Sequence, residues 1–285
     1  MRTMRDLDGR VMLVTGATEG IGKAAALNFA RRGARLTIVG RNAEKTARVL
    51  EELKAASGNA DLDALLGDLS KLADVRDVAA KFKAKHDRLD VLVNNAGGIF
   101  SKPQTSAEGY ELTFAVNHLA HFQLTVALLD LIRATPNARV ISTSSHAHRV
   151  GNVDLATTPT THRGFKTYAT SKLANILFIK ELARRLEGTT ATANAFNPGY
   201  VHTGIMKNDA SAAFTLLLNV SGRLFARTPE QGADTLVWLA TAPECGALRG
   251  EYVSDRKKAT VASQALDAKL ATELWALSER LCSAA

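Results

Sequence analysis

A tyrosine and a lysine stand four residues apart in "YATSK", Tyr168 to Lys172. The pattern around them predicts a helix from about 167 to 187. Spacing of i, i+4 puts both side chains on one face, about 5–6 Å apart at Cβ. Free tyrosine titrates near 10, and lowering it by ~3 units takes ~4 kcal/mol. One ammonium at ~4 Å, in an effective dielectric of ~20, supplies about that much to a phenolate; in open water it supplies only ~1 kcal/mol. The spacing therefore describes either an ordinary surface pair or a phenol tuned for proton transfer. Which of the two applies depends on the rest of the chain.

A second feature is the turn "TGATEGIG" at 15–22. Gly16, Gly20 and Gly22 follow G-x-x-x-G-x-G rather than the common G-x-G-x-x-G spacing. The physics is shared: glycine lets backbone approach a pyrophosphate, and the helix start offers free N–H donors and partial positive charge. After the second predicted strand the chain reads "IVGRN", with Arg41 and Asn42 where an acid would meet the ribose of NAD. An arginine there favours the 2′-phosphate of NADP(H) and leaves NAD(H) as the alternative. Glu19 counts the other way, since a base in the glycine turn would have strengthened the preference. His118 and His121, and His146 and His148, are spaced closely, but no cysteine or paired acid completes a tetrahedral set, and no metal is expected.

The elements that must hold these groups alternate strand and helix. Strands are predicted at 10–16, 34–42, 61–68, 90–98, 138–145, 190–199 and 250–255. Helices are predicted at 22–33, from Asn42 as N-cap to Gly58, after a Ser70 cap, over 110–133 and over 167–187. In the third strand, Leu62, Ala64 and Leu66 alternate onto one side. The alternation predicts an α/β fold: a Rossmann-type, doubly wound parallel sheet of about seven strands with helices on both faces. The chemically distinctive residues follow strands one, two, four, five and six, at the edge where such sheets bind ligands.

Bulk properties agree. The 285 residues are 46% apolar and 22% charged, enough for one domain with a full core. The net charge of +8 is dispersed, so a solvated surface is expected and nucleic acid is not. Cys245 and Cys282 have no metal-ligand spacing, and a reducing compartment is the simpler reading. No signal-like segment or ~20-residue apolar run is seen, so a soluble cytoplasmic protein without a membrane span is expected.

Five motifs in order, "TGATEGIG", "NNAG" (94–97), "ISTSS" (141–145), "YATSK" and "NPG" (197–199), resemble the short-chain dehydrogenase/reductase family from about residue 8 to about 258. "VNHLAHFQLT" (116–125), "SKLANILFIKELARRL" (171–186) and "TPEQGADTLVWLA" (228–240) are similar to its retinol-dehydrogenase-like branch. The resemblance implies Tyr168 as general acid or base, Lys172 as its tuner and ribose holder, and Ser145 on the substrate oxygen, with Ser144 as the fallback. Asn117 would support a water-linked proton path. Gly16, Thr18, Gly20, Ile21 and Gly22, then Asp68 and Leu69, then Asn95, Ala96 and Gly97, and finally Pro198, Gly199, Val201 and Thr203 would line the cofactor.

The expected activity is NADP(H)-dependent interconversion of an alcohol and a carbonyl on a lipophilic small molecule. The alternatives are a C=C reductase similar to protochlorophyllide reductase and a non-catalytic dinucleotide-binding sensor. A single domain over 1–285 is expected, with a substrate lid at 204–227 carrying Ile205, Met206, Phe214 and Leu216 to Leu218, and a C-terminal tail at 259–285. A homo-oligomer is left open. The threonine-rich loop 146–166 makes Ser145 and Tyr168 more distant in sequence than in compact family members and leaves the substrate unspecified.

Overall fold

The hydrophobic runs become strands β1 (Val11–Thr15), β2 (Arg35–Gly40), β3 (Leu62–Leu66), β4 (Val91–Asn94), β5 (Arg139–Thr143), β6 (Thr192–Asn197) and β7 (Tyr252–Ser254). They form one parallel sheet in the order β3-β2-β1-β4-β5-β6-β7. A two-residue strand, β8 (Lys257–Lys258), adds antiparallel to β7 and brings the count to eight. The structure, a computed structural model, describes residues 5–201 and 227–284. Of the expected lid at 204–227, all but Arg227 lies outside the described residues, as does Thr203.

The helices are α1 (Gly20–Arg31), α2 (Ala43–Ser57), α3 (Leu72–Lys85), α4 (Leu112–Phe114), α5 (Ala120–Ala127), α6 (Leu129–Ala134), α7 (Phe165–Arg185), α8 (Pro229–Thr241) and α9 (Ala268–Ser283). Side chains alternate across a strand, so β1 feeds two cores. Val11 and Leu13 join residues of α3, α5, α7 and α9 on one face, while Met12 and Val14 join those of α1, α2 and α8 on the other. The chain turns from β3-β2-β1 outward to β4 on the other side of β1, which makes the β1–β4 boundary the switch point. At the opposite end of those two strands, buried Asp90 accepts from the Val11 N–H at 2.9 Å and from Arg88 at 2.7 and 2.9 Å.

Local capping follows the sequence at α2: Asn42 Oδ1 accepts from Lys45 N–H at 2.8 Å, and Gly58 ends the helix at φ 65°. Three expectations fail for non-local reasons. β3 is a sheet edge whose Leu62 and Leu65 are buried while Leu66 is 47% exposed, so its alternation breaks. Ser70 does not cap α3; its hydroxyl donates to Asp68, and the Leu72 N–H is met by Glu108 from another loop at 2.7 Å. The helix expected over 110–133 is segmented, with a π-helical turn at Ala115–Leu119 between α4 and α5. The segment expected as a tail contains α9, whose Ala271, Leu274 and Trp275 are buried in the core beside α7. Among the described residues, no helix is long and apolar enough to cross a membrane.

Candidate active site

Five sheet ends converge at the carboxyl edge. Gly16 follows β1 at φ 65°, a conformation glycine adopts freely, and a Cβ there would fall 2.7 Å from Ala96 Cα. Gly22, in the first turn of α1, touches the same spot: its Cβ would meet Gly16 O at 2.3 Å and Asn95 Nδ2 at 2.6 Å. The turn thus closes tightly on the β4 end. α1 begins without a capping side chain and without an acid in its first turn, leaving N–H donors facing out of the sheet edge. Thr18 sits over Gly40, and Ile21 is buried against Gly232 of α8.

Asn95 ties the two strand ends together. Its N–H reaches Thr15 Oγ1 at 3.0 Å, its amide donates to the carbonyls of Thr15 and Gly16, and its Oδ1 accepts from Thr143. Ala96 N–H also donates to Thr15 Oγ1, at 3.1 Å. Gly97 lies between Asn117 and Lys172; a Cβ there would stand 2.9 Å from Asn117 Oδ1 and 3.4 Å from Lys172 Nζ.

Beyond β2, Arg41 is exposed, whereas the Asn42 side chain is committed to the α2 cap. Glu19 is drawn away by an ion pair to Lys45 at 2.6 Å, so the acid that weighed against an NADP(H) preference is neutralised by a cation of α2. Asp68 accepts from the Ser70 N–H and hydroxyl, and Leu69 packs half-buried against the core. Past β6, the Arg227 guanidinium lies against Gly199 and pairs with Asp255 at 2.6 Å, and Val201 bridges to Arg227. Pro198 precedes them on the same turn.

The reacting pair comes from β5 and α7. Ser144 and Ser145 both lie beyond the end of β5 at Thr143. The Ser144 hydroxyl is buried and donates to the Lys172 carbonyl at 2.8 Å, which locks β5 to α7. The Ser145 hydroxyl accepts from the Ala147 N–H at 3.2 Å and lies close enough to the Tyr168 phenol to act on its acidity. Burial raises the phenol above its ordinary 10, and the Ser145 hydrogen bond opposes that rise. This corrects the expectation that Lys172 lowers it. The Lys172 ammonium stands 5.5 Å from the centre of the Tyr168 ring and donates to the Thr143 carbonyl at 3.2 Å. Lys172 is 3% exposed, and burial pushes it down to about 8.

Asn117, in the π-turn, is fully buried: its amide donates to Gly98 O and to Ser171 Oγ, both at 3.0 Å, and its Oδ1 accepts from Gly98 N–H. The ring nitrogens of His118 face Asn175 and Ser278. His121 Nε2 donates to Ala96 O at 2.7 Å, and among the described residues no three His, Cys, Asp or Glu side chains gather. Sequence reading missed two contributors. Lys45 was visible only as a charge near a helix start. Asn175 stands seven residues after Tyr168, and that spacing alone puts it on the Tyr168–Lys172 face.

Residues 10–213 match the family model for short chain dehydrogenases. The chain is 37% identical to retinol dehydrogenase 13 of Homo sapiens over 281 residues, which is 96% of this chain and 85% of that protein. It is 38% identical to retinol dehydrogenase 12 of Homo sapiens over 283 residues, with 97% and 87% covered. Among solved structures, the Pseudomonas aeruginosa RhlG/NADP active-site complex superposes with a TM-score of 0.71 at 27% identity, over 90% of this chain and 98% of that one. Sequence motifs, sheet order and these likenesses agree: the chain belongs to the short-chain dehydrogenase family, as a retinol-dehydrogenase-like oxidoreductase that acts on CH–OH groups and binds NAD(P)(H).

Proposed function

We propose that the protein interconverts a carbonyl and an alcohol on a lipophilic small molecule with NADP(H), with Tyr168 as general acid in reduction and general base in oxidation. The observation that carries this reading is the buried Lys172 ammonium 5.5 Å from the centre of the Tyr168 ring, at the sheet edge where Ser145 follows β5. A phenol raised by burial is protonated at neutral pH, the form a general acid needs when a carbonyl is reduced. Lys172 remains largely charged at pH 7 and would hold the ribose hydroxyls of the cofactor, with Asn117 bracing the wall next to it.

Bound NADP(H) would supply the hydride; the chain supplies position and protons. The turn around Gly16, Thr18, Gly20, Ile21 and Gly22 would take the pyrophosphate. Arg41, supported by Lys45, would meet the 2′-phosphate. Asp68 and Leu69 would border the adenine, and Asn95, Ala96, Gly97, Pro198, Gly199, Val201 and Thr203 the nicotinamide half. The relatives' names and three exposed apolar side chains on bordering segments, Val150, Phe165 and Tyr200, support a lipophilic substrate. A cytoplasmic location belongs to the same reading, and cell fractionation would check it.

The test is a panel of retinaldehyde and aliphatic and aromatic aldehydes against NADPH and NADH, with product analysis. Reduction to the alcohol, faster with NADPH, is expected. Tight NADPH binding without turnover of any carbonyl would favour a sensor, and saturation of a C=C bond would favour the alternative reductase.

A further inference from the structure

Under the Tyr168–Lys172 pair runs a buried chain of polar groups that ends on the C-terminal helix. Asn175 is fully buried on α7. Its amide nitrogen donates to the Asn117 carbonyl at 2.9 Å and to the Thr143 carbonyl at 3.1 Å. The π-turn at Ala115–Leu119 opens the helix where the Asn117 carbonyl is reached. Two carbonyls on the nitrogen fix the amide's orientation, so Asn175 Oδ1 must face His118. His118 Nδ1 lies 3.3 Å away and therefore carries the hydrogen, while Nε2 lies 2.9 Å from the Ser278 hydroxyl of α9, whose one hydrogen is shared between this nitrogen and the Leu274 carbonyl at 2.8 Å. The Thr143 carbonyl has a second donor, the Lys172 ammonium at 3.2 Å.

A buried asparagine can be a plain cross-link in a core. Here its donors go to two backbone carbonyls outside its own helix, and one of them is the carbonyl that anchors the lysine. We propose that Asn175, oriented by His118 and Ser278, is a positioning residue for Lys172: its amide pins the Thr143 and Asn117 carbonyls and so sets where the ammonium stands against the phenol and the cofactor ribose. This rests on the reading of Lys172 and Tyr168 as the working pair. Loss of the amide frees one lone pair of the Thr143 carbonyl and opens room for water beside the ammonium. The lysine is then better solvated and less fixed.

The groups facing Lys172 leave a clean window for a titration. Tyr168 from α7 is raised by burial. His121 and His118 are pushed down to about 3 and about 4 by burial, so both stay neutral above pH 6. Among the described groups there, Lys172, at about 8, is the one that changes charge between pH 7 and 9. NADPH affinity should therefore fall as pH rises through that range, and Asn175→Ala should move the midpoint upward by ~1 unit as the ammonium gains solvent.

NADPH fluorescence titrations from pH 6.5 to 10 would be made on the full chain and on Lys172→Met, Asn175→Ala and Ser278→Ala. The pH step should vanish in Lys172→Met, move up in Asn175→Ala, and move up less in Ser278→Ala. Ser278→Ala removes one hydroxyl from a helix and decides the matter if Asn175→Ala fails to fold. A step that survives in Lys172→Met sinks the reading of the lysine itself. A step lost there, yet unmoved in both Asn175→Ala and Ser278→Ala, overturns the positioning role alone.

Discussion

Two charged side chains are buried at opposite ends of the same strands, and they are treated differently. Asp90, at the amino end of β4, has a side chain with no exposed surface, and it is met by the Val11 N–H, by both donors of Arg88 and by Arg10 at 3.4 Å. Lys172, at the carboxyl edge, is also buried, but among the described residues its ammonium is met by one backbone carbonyl and the face of a tyrosine ring. A compensated charge holds strands in register. An uncompensated one is a standing cost, tolerated where a ligand or a reaction uses it. In this molecule the cost sits where the family's chemistry is expected.

Breaking the chemistry end should give the largest effect. Tyr168→Phe removes one hydroxyl, so thermal unfolding and NADPH binding should stay near wild type while turnover falls by ~10²–10⁴-fold. Near-normal turnover in a folded variant would leave the phenol without a role. Next in size is Arg41→Ala. A charge-assisted hydrogen bond of ~1.5–3 kcal/mol corresponds to ~10–100-fold, lost from NADPH affinity and spared in NADH affinity. Parallel losses for both cofactors would remove Arg41 from the 2′-phosphate. The smaller effect belongs to the structural end. Asp90→Asn keeps an acceptor for Val11 but uncouples arginines that water can reach, so stability should drop by ~1–3 kcal/mol with turnover per folded molecule unchanged. A turnover loss without a stability loss would erase the contrast between the two ends.

The same contrast runs through what could be read from sequence. Features made by neighbours in the chain were legible: the Asn42 cap, the Gly58 terminus, the apolar runs of the central strands and the helical spacing of Tyr168 and Lys172. Features decided across the fold were not. Glu108 reaches 36 residues to cap α3, displacing Ser70 from that role, and β3 loses its alternation because it has a neighbour on one side only. β8 is two residues long and carries no periodicity to detect. At the site, residue identities and strand ends were visible, but the ammonium's partner was not. Spacing puts Lys172 near Tyr168, yet the fold sends its Nζ to Thr143 and lets burial, rather than the lysine, dominate the phenol.

Among the described residues no carboxylate pairs with the buried Lys172 ammonium, and its burial costs the fold stability. Its folded value, about 8, lies below the 10.5 of an exposed lysine. Between those values the unfolded chain binds more protons than the folded one, so folding gains stability as pH rises from about 8 toward 10.5, and the penalty is fully present below about 8. The shift sets that penalty at roughly 3 kcal/mol at most. The deciding measurement is urea unfolding of the wild type and of Lys172→Met at pH 7 and at pH 10, without added cofactor. Lys172→Met should be the more stable protein at pH 7, with an advantage that shrinks strongly by pH 10. A variant equally destabilised at both pH values would show that the buried ammonium carries no such penalty.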